Sequence, residues 1–426
     1  MNAALASDLE LPSCSAAIEV DPLPPERLLA VDADPVAAFI APDGEAWVGV
    51  GAARWLDGGA GSAALWSGLL DQSPDAPGPM AIGALPFRAG EAADPLWSGL
   101  LPGGVVLPER LYIQRGGRAW WRLTLPRRES ATLRSRLTQE RAWLAQLAAA
   151  ETLPLAAARP LPEGDAPQRY ADAVTRAVAR IRAGELAKVV LARRCGVAFD
   201  TAPAPAALLA RLSERHPNCL RYAWKRGART WLGATPETLV RVDGRRLATQ
   251  ALAGTRTSER AAELLASTKD QHEHAIVVEA IRAAIAPYCV ALSPRREPVL
   301  RPLRGLAHLH TAIEATLRDD VDFMRLVDAL HPTPAVCGLP ADRAAALLRA
   351  LEPEPRGLYA GPFLRLASDG GGHAVVALRG AIVAGRQLVV PAGAGIVDGS
   401  EGEAELAETR VKQRSVLDAF GARDGA

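Results

Sequence analysis

Two pairs of carboxylates stand out in this 426-residue chain. Asp270 and Glu273 lie in "STKDQHEHAIVVEAI", and Glu405 and Glu408 in "GEAELAETRVKQRS". Each pair has a three-residue spacing, which on a helix places both groups on one face. Like charges on one face repel unless water or a cation separates them. Two such helices could offer four oxygens to one hard divalent ion. Magnesium keeps several of its waters, so one direct carboxylate per helix, with the second acting through water, would suit it. Two ordinary solvated helix faces would show the same pattern. His272 and His274 flank Glu273, but residues two apart on a helix point about 200° apart, so one helix cannot aim both at a zinc ion. No H-E-x-x-H is present.

Two single residues could do proton chemistry. Lys188 sits near the start of the apolar run "KVVLA". Such a lysine either snorkels to water or, if desolvated, serves as a base. Glu237 in "GATPETLV" stands beside apolar strand residues, where burial would raise its pKa and fit it to act as an acid. The glycine run "PAGAGIVDGS" reads G-x-G-x-x-x-G, not the G-x-G-x-x-G of a dinucleotide site, and no βα unit follows it. Its glycines would let backbone N–H groups approach an anion, or simply make a tight strand-to-helix turn.

These groups must be positioned by regular elements. Residues 1 to about 150 are rich in Gly, Pro and Trp, and short apolar runs at 46–55 and 103–125 read as strands between turns. A helix is expected over 137–152, and the proline-rich "PLAAARPLPEGD" (154–165) is the best linker candidate. Beyond it, 168–185 carries an apolar stripe of helical period and 187–199 reads as a strand. Short strands follow over 230–256, with a hairpin signal at Asp243-Gly244. Residues 257–288 read as helix in two pieces, 371–395 as a hairpin and 402–420 as a closing helix. Strands and helices mixed in blocks favour α+β.

Composition sets the outer bounds. The formal net charge is +1, so no global field recruits nucleic acid or an anionic membrane. No apolar run reaches the roughly 20 residues that span a bilayer. The acidic N-terminus lacks the pattern of a signal peptide, and five scattered cysteines without a C-x-x-C pair suit a reducing compartment. A cytoplasmic location is expected.

Taken in order, "KVVLAR", "GATPETLV", "ALAGTRTSE", "STKDQHEH", "LHPTPAVCGLP", "RGLYAGPF", "VALRGAIV" and "AGAGIVDGSEGEAELAETRVK" resemble the chorismate-utilising enzyme family. The likeness covers residues 165–420, the catalytic region. Residues 1–160 fit the family's variable β-rich N-terminal part. The implied fold is one large α+β chorismate-binding unit with antiparallel sheets flanked by helices. Lys188 resembles the lysine that activates water in isochorismate and salicylate synthases, where anthranilate synthases have glutamine. Ala253 replaces the lysine of aminodeoxychorismate synthases. Ala335 in "HPTPAVCG" stands where salicylate and anthranilate synthases usually carry threonine, and Cys337 where relatives have Gly or Ser.

The resemblance implies Mg²⁺-dependent conversion of chorismate to isochorismate, with salicylate formation by later loss of pyruvate as the alternative. It gives Lys188 the role of base and Glu237 that of acid. Glu273 and Glu408 would bind Mg²⁺, supported through water by Asp270 and Glu405. Tyr359, Arg379, the amides near Gly393, and Lys412 would receive substrate carboxylates. Gly254 and Thr255 would line the pocket with Ala335, and His308 would stand near the ring carboxylate. Chorismate is the expected ligand, without nucleic acid, membrane or an obligatory protein partner, and a monomer is expected. Menaquinone, a catechol siderophore and salicylate all remain open as destinations of the product.

Overall fold

The computed structural model describes residues 13–56, 61–91, 94–150, 155–303 and 305–421. Most of the N-terminal stretch read for a signal peptide lies outside the described residues. So do the last two residues of the helix expected at 137–152 and the first of the proline-rich segment. Among the described residues the strands form two sheets, of 13 and 10 strands, in a predominantly antiparallel α+β fold. Strands from both ends of the chain share each sheet. In the larger one Leu220–Arg226 pairs with Val36–Ile40; in the smaller, Pro362–Ala367 pairs with Met80–Ala84.

The sheets meet over an apolar core, because strand side chains alternate faces. Phe39, Tyr222 and Trp231 come from the larger sheet and Phe363 from the smaller. The ring centroids of Phe39 and Tyr222 lie 6.3 and 5.3 Å from that of Phe363. Ala38 and Ile40, one residue either side of Phe39, belong to a second core against helix Pro205–Arg215 and helix Leu133–Ala149. No helix among the described residues is long and apolar enough to cross a membrane. All five cysteines are free thiols.

Local signals read from the sequence hold well where they are local. The stripe at 168–185 is helix Ala166–Arg182, closed by Gly184 at φ +74°. The Asp243-Gly244 turn joins Thr238–Asp243 to Arg246–Thr257. The two helical pieces after 257 are Ala262–Ala266 and Thr268–Ile285. Two readings change. Residues 371–395 are not one hairpin: Gly372–Val376 belongs to the smaller sheet, and the hairpin is Gly380–Ala384 with Gln387–Ile396 in the larger. The chain changes sheets between them, through Arg379 at φ +51°. The proline-rich segment is not a free tether, since Ala158–Pro160 pairs with Val197–Phe199 at the sheet edge, where a proline costs no ladder bond.

Candidate active site

One solvent-open cleft of about 1030 Å³ collects every candidate named above. Strand Lys188–Phe199 supplies Lys188, and its antiparallel partner Gln387–Ile396 supplies Gly393. Glu237 comes from the turn between Arg229–Thr235 and Thr238–Asp243. Gly254 and Thr255 lie at a bulge in Arg246–Thr257, against His308 on Leu306–Leu317. Ala335 sits in the loop after helix Phe323–Leu330, Tyr359 on the connection from helix Ala341–Leu351 to strand Pro362–Ala367, and Arg379 between strands Gly372–Val376 and Gly380–Ala384.

Two helices bring the carboxylates. Helix Thr268–Ile285 is capped by Ser267, whose hydroxyl accepts the Asp270 amide at 3.2 Å. Its buried stripe is apolar at Val277, Ile281 and Ile285 but polar at its start, where Asp270 and His274 are 4% and 2% exposed. Helix Gly402–Leu417 buries Glu405, Thr409 and Gln413 on one face, with Glu408 and Lys412 beside them. Polar groups on a buried face are costly unless they are matched, and most are. Lys188 Nζ lies 2.6 Å from Glu273 Oε1, Arg256 Nη2 2.7 Å from Asp270 Oδ2, and Lys412 Nζ 2.7 Å from Glu408 Oε1. Lys412 also donates to the Gly393 carbonyl at 2.8 Å.

Among the described residues no three potential ligands converge as a ready-made metal cage. In kind the donors nonetheless fit a hard cation: four carboxylates from two helices on one cleft, three of them now balanced by lysine or arginine. His274 offers no alternative ligand set, because its Nε2 bonds Thr311 Oγ1 at 2.8 Å.

The acid–base pair is unlike its surroundings. Glu237 is 6% exposed, and its carboxylate makes no hydrogen bond among the described residues. Burial pushes it up to about 7, against the downward pull of Lys188 first and then Lys412, Arg379 and Arg301. Its backbone is fixed by the Thr235 hydroxyl, which accepts the Glu237 amide at 3.2 Å. Lys188, 2% exposed, reaches the cleft beside Gly395, where an added Cβ would stand 2.9 Å from Glu273 Oε1 and 3.1 Å from Lys188 Cε.

Arg379 faces the cleft, and among the described residues it makes no ion pair with a carboxylate. Its Nη1 donates to Ser415 Oγ at 3.3 Å and its Nη2 to His308 Nε2 at 3.4 Å. His308 Nδ1 lies 3.1 Å from the Gly254 carbonyl, which can only accept, so the proton is on Nδ1 and Nε2 is an acceptor. Burial, with Arg379 and Lys412 nearby, lowers the imidazole to about 3, so it buttresses Arg379 as a neutral ring. Burial pushes the Tyr359 phenol up to about 12. The site thus sets a buried acid, Glu237, and a buried amine, Lys188, beside the guanidinium of Arg379.

Three lining residues escape a reading of the sequence. Arg256 and Arg356 are single arginines in unremarkable runs, although Glu352 and Arg356 stand at the i, i+4 spacing of an ion pair. The need for Gly395 appears only once Lys188 and Glu273 are placed beside it.

Residues 63–421 match the model of the chorismate binding enzyme family, so the chain belongs to that family. Isochorismate synthase DhbC of Bacillus subtilis is 38% identical over 282 residues, 62% of this chain and 69% of the relative. Isochorismate synthase EntC of Escherichia coli is 31% identical over 360 residues, 82% and 88% of the two chains. The solved structure of MenF, the menaquinone-specific isochorismate synthase of Escherichia coli, superposes with a TM-score of 0.79 at 26% identity, covering 98% of both chains.

Proposed function

We propose that this enzyme is an isochorismate synthase. A water would add to C2 of the chorismate ring and the 4-hydroxyl would leave as water while the double bonds shift, so that the reaction is a net isomerisation. The observation that carries the reading is the buried, unbonded carboxyl of Glu237, poised near neutrality in the same cleft as Lys188. Lys188, as the neutral amine released from its ion pair with Glu273, would take the proton of the attacking water at Nζ, and Glu237 would give its proton to the departing oxygen. An acid with a pKa near 7 can be protonated before the step and regenerated after it. No covalent intermediate is required.

Substrate capture follows from charge. Chorismate is a dianion, and a net charge of +1 cannot draw it in. Arg379, without an ion pair among the described residues, can fork onto one carboxylate, with Tyr359 and the Gly393 backbone beside it. Glu273 and Glu408 would hold Mg²⁺, with Asp270 and Glu405 in support. Bound there, the ion would add positive charge beside the acidic helices and bind the ring carboxylate. The names of the relatives support the same reading.

The test is purified protein with chorismate and Mg²⁺, with products resolved by HPLC. Isochorismate with little salicylate or pyruvate is expected, with EDTA abolishing turnover and excess Mg²⁺ restoring it. Stoichiometric pyruvate would move the assignment to salicylate synthase. Full turnover in EDTA would overturn the metal assignment.

A further inference from the structure

Arg356 lines the cleft beside Tyr359, yet its side chain is only 2% exposed. A buried guanidinium must have its donors matched. Its Nη1 donates to the Val336 carbonyl at 2.6 Å and its Nη2 to the Val190 carbonyl at 2.5 Å. Its Nε donates to Glu352 Oε2 at 2.9 Å. Glu352, 6% exposed, also accepts the Ala192 amide at 2.9 Å. The guanidinium lies over Phe87, 4.3 Å from the ring centroid, and 6.0 Å from that of Tyr359.

The pair therefore ties three segments that are distant in sequence. Val190 and Ala192 are on the strand that carries Lys188. Val336 follows Ala335 in the loop that walls the cleft. Tyr359 is three residues beyond Arg356 itself. A second, shallow solvent-open pocket adjoins the pair, and Arg356, Tyr359 and Pro391 line both spaces. Glu352 already balances the charge of Arg356, so this arginine is not the anion receptor that Arg379 is.

We propose that the buried Arg356–Glu352 pair is a positioning unit that fixes the Ala335 loop and Tyr359 against the Lys188 strand, and so holds the cleft at the width the substrate ring needs. Its kinetic consequence rests on the isochorismate synthase reading. A displacement of about 1 Å at a positioning contact can cost about 100-fold in rate.

Arg356→Met alone would leave Glu352 buried without its cation, which is strongly destabilising. The test therefore uses Arg356→Met/Glu352→Leu, which removes both charges, and Arg356→Lys, which keeps the charge but cannot fork to two carbonyls and a carboxylate. Melting temperature, kcat and KM for chorismate, and amide hydrogen exchange at residues 188–192 and 333–338 are measured on both. Both variants should lose at least about tenfold in kcat/KM, and exchange at 333–338 should quicken. Parental kinetics and exchange in either folded variant would overturn the proposal. If the parent itself leaves chorismate unchanged, the isochorismate reading fails instead, and hydrogen exchange alone decides: faster exchange at 333–338 supports the positioning unit, and unchanged exchange removes it.

Discussion

Arg122 and Arg379 are two arginines in the same fold with opposite circumstances. Arg122, in the N-terminal strands, is fully buried, and its donors are met by Asp71 at 2.8 Å, Ser15 at 3.0 Å and the Pro77 carbonyl at 2.9 Å. Arg379 is partly buried in the cleft and, among the described residues, reaches a hydroxyl and an imidazole nitrogen, at 3.3 and 3.4 Å. Among carboxylates, Glu352 repeats the first case and Glu237 the second. A buried charge whose partners are all supplied by the chain holds the chain together. One whose partners are missing has been desolvated for something that arrives later. The cleft lining runs from Lys188 to Lys412 and takes nothing from the described residues of 13–126, but the matched Arg356–Glu352 pair lies beside the cleft as well, so the difference lies in the partners and not in the place along the sequence.

The largest expected effect comes from the most isolated charge. Glu237→Gln should lower turnover by about 10²- to 10⁴-fold while chorismate still binds, because only the proton donor is lost. The same variant has a signature in stability. Burial raises the Glu237 carboxyl from 4.5 to about 7. The folded chain therefore holds this proton more tightly than the unfolded one, a contribution present below about pH 4.5 and lost as pH rises through about 7. Glu237→Gln removes that loss, so its melting temperature should gain on the parent's across this window. A parallel pH dependence of the two melting curves would show that Glu237 is not desolvated.

The two arginines should separate next. Arg379→Met should raise the KM for chorismate by about 30-fold, equivalent to about 2 kcal/mol for a lost charged hydrogen-bonding contact, with little change in melting temperature. Arg122→Met should do the reverse. It strands buried acceptors and costs about 2 kcal/mol of stability, while the folded protein keeps its KM. Equal effects of both substitutions on KM would erase the distinction between them.

The smallest effect concerns the wall. Ala335 lines the cleft in the loop after helix Phe323–Leu330. Pyruvate loss from isochorismate needs the enolpyruvyl side chain folded over the ring, and a threonine here adds a methyl and a hydroxyl that could favour that pose. Ala335→Thr should raise pyruvate release, read with lactate dehydrogenase. A barrier change of about 1.4 kcal/mol would make the rise tenfold. An unchanged pyruvate rate would place product control elsewhere in the pocket.

How far the sequence announces this depends on the range of the interaction. The helix ending at Arg182 and the Asp243-Gly244 turn are set by residues a few positions apart, and both are legible. The carboxylate pairs are legible as pairs because i, i+3 spacing is local. Their counter-ions divide on the same line. Lys412 stands four residues from Glu408, whereas Lys188 meets Glu273 across 85 residues of sequence. Residues 371–395 read as one hairpin because strand periodicity does not say which sheet a strand joins. Burial of Glu237 likewise depends on a whole assembled cleft, and only the apolar neighbours in "GATPETLV" hint at it.

The origin of one oxygen tests the proposed reaction most directly. With chorismate in H₂¹⁸O, mass spectrometry of the product should show isochorismate carrying one ¹⁸O at C2, because the attacking water comes from solvent and the 4-hydroxyl is lost. Isochorismate formed without label, or chorismate recovered unchanged from a folded, Mg²⁺-supplied enzyme, would contradict it.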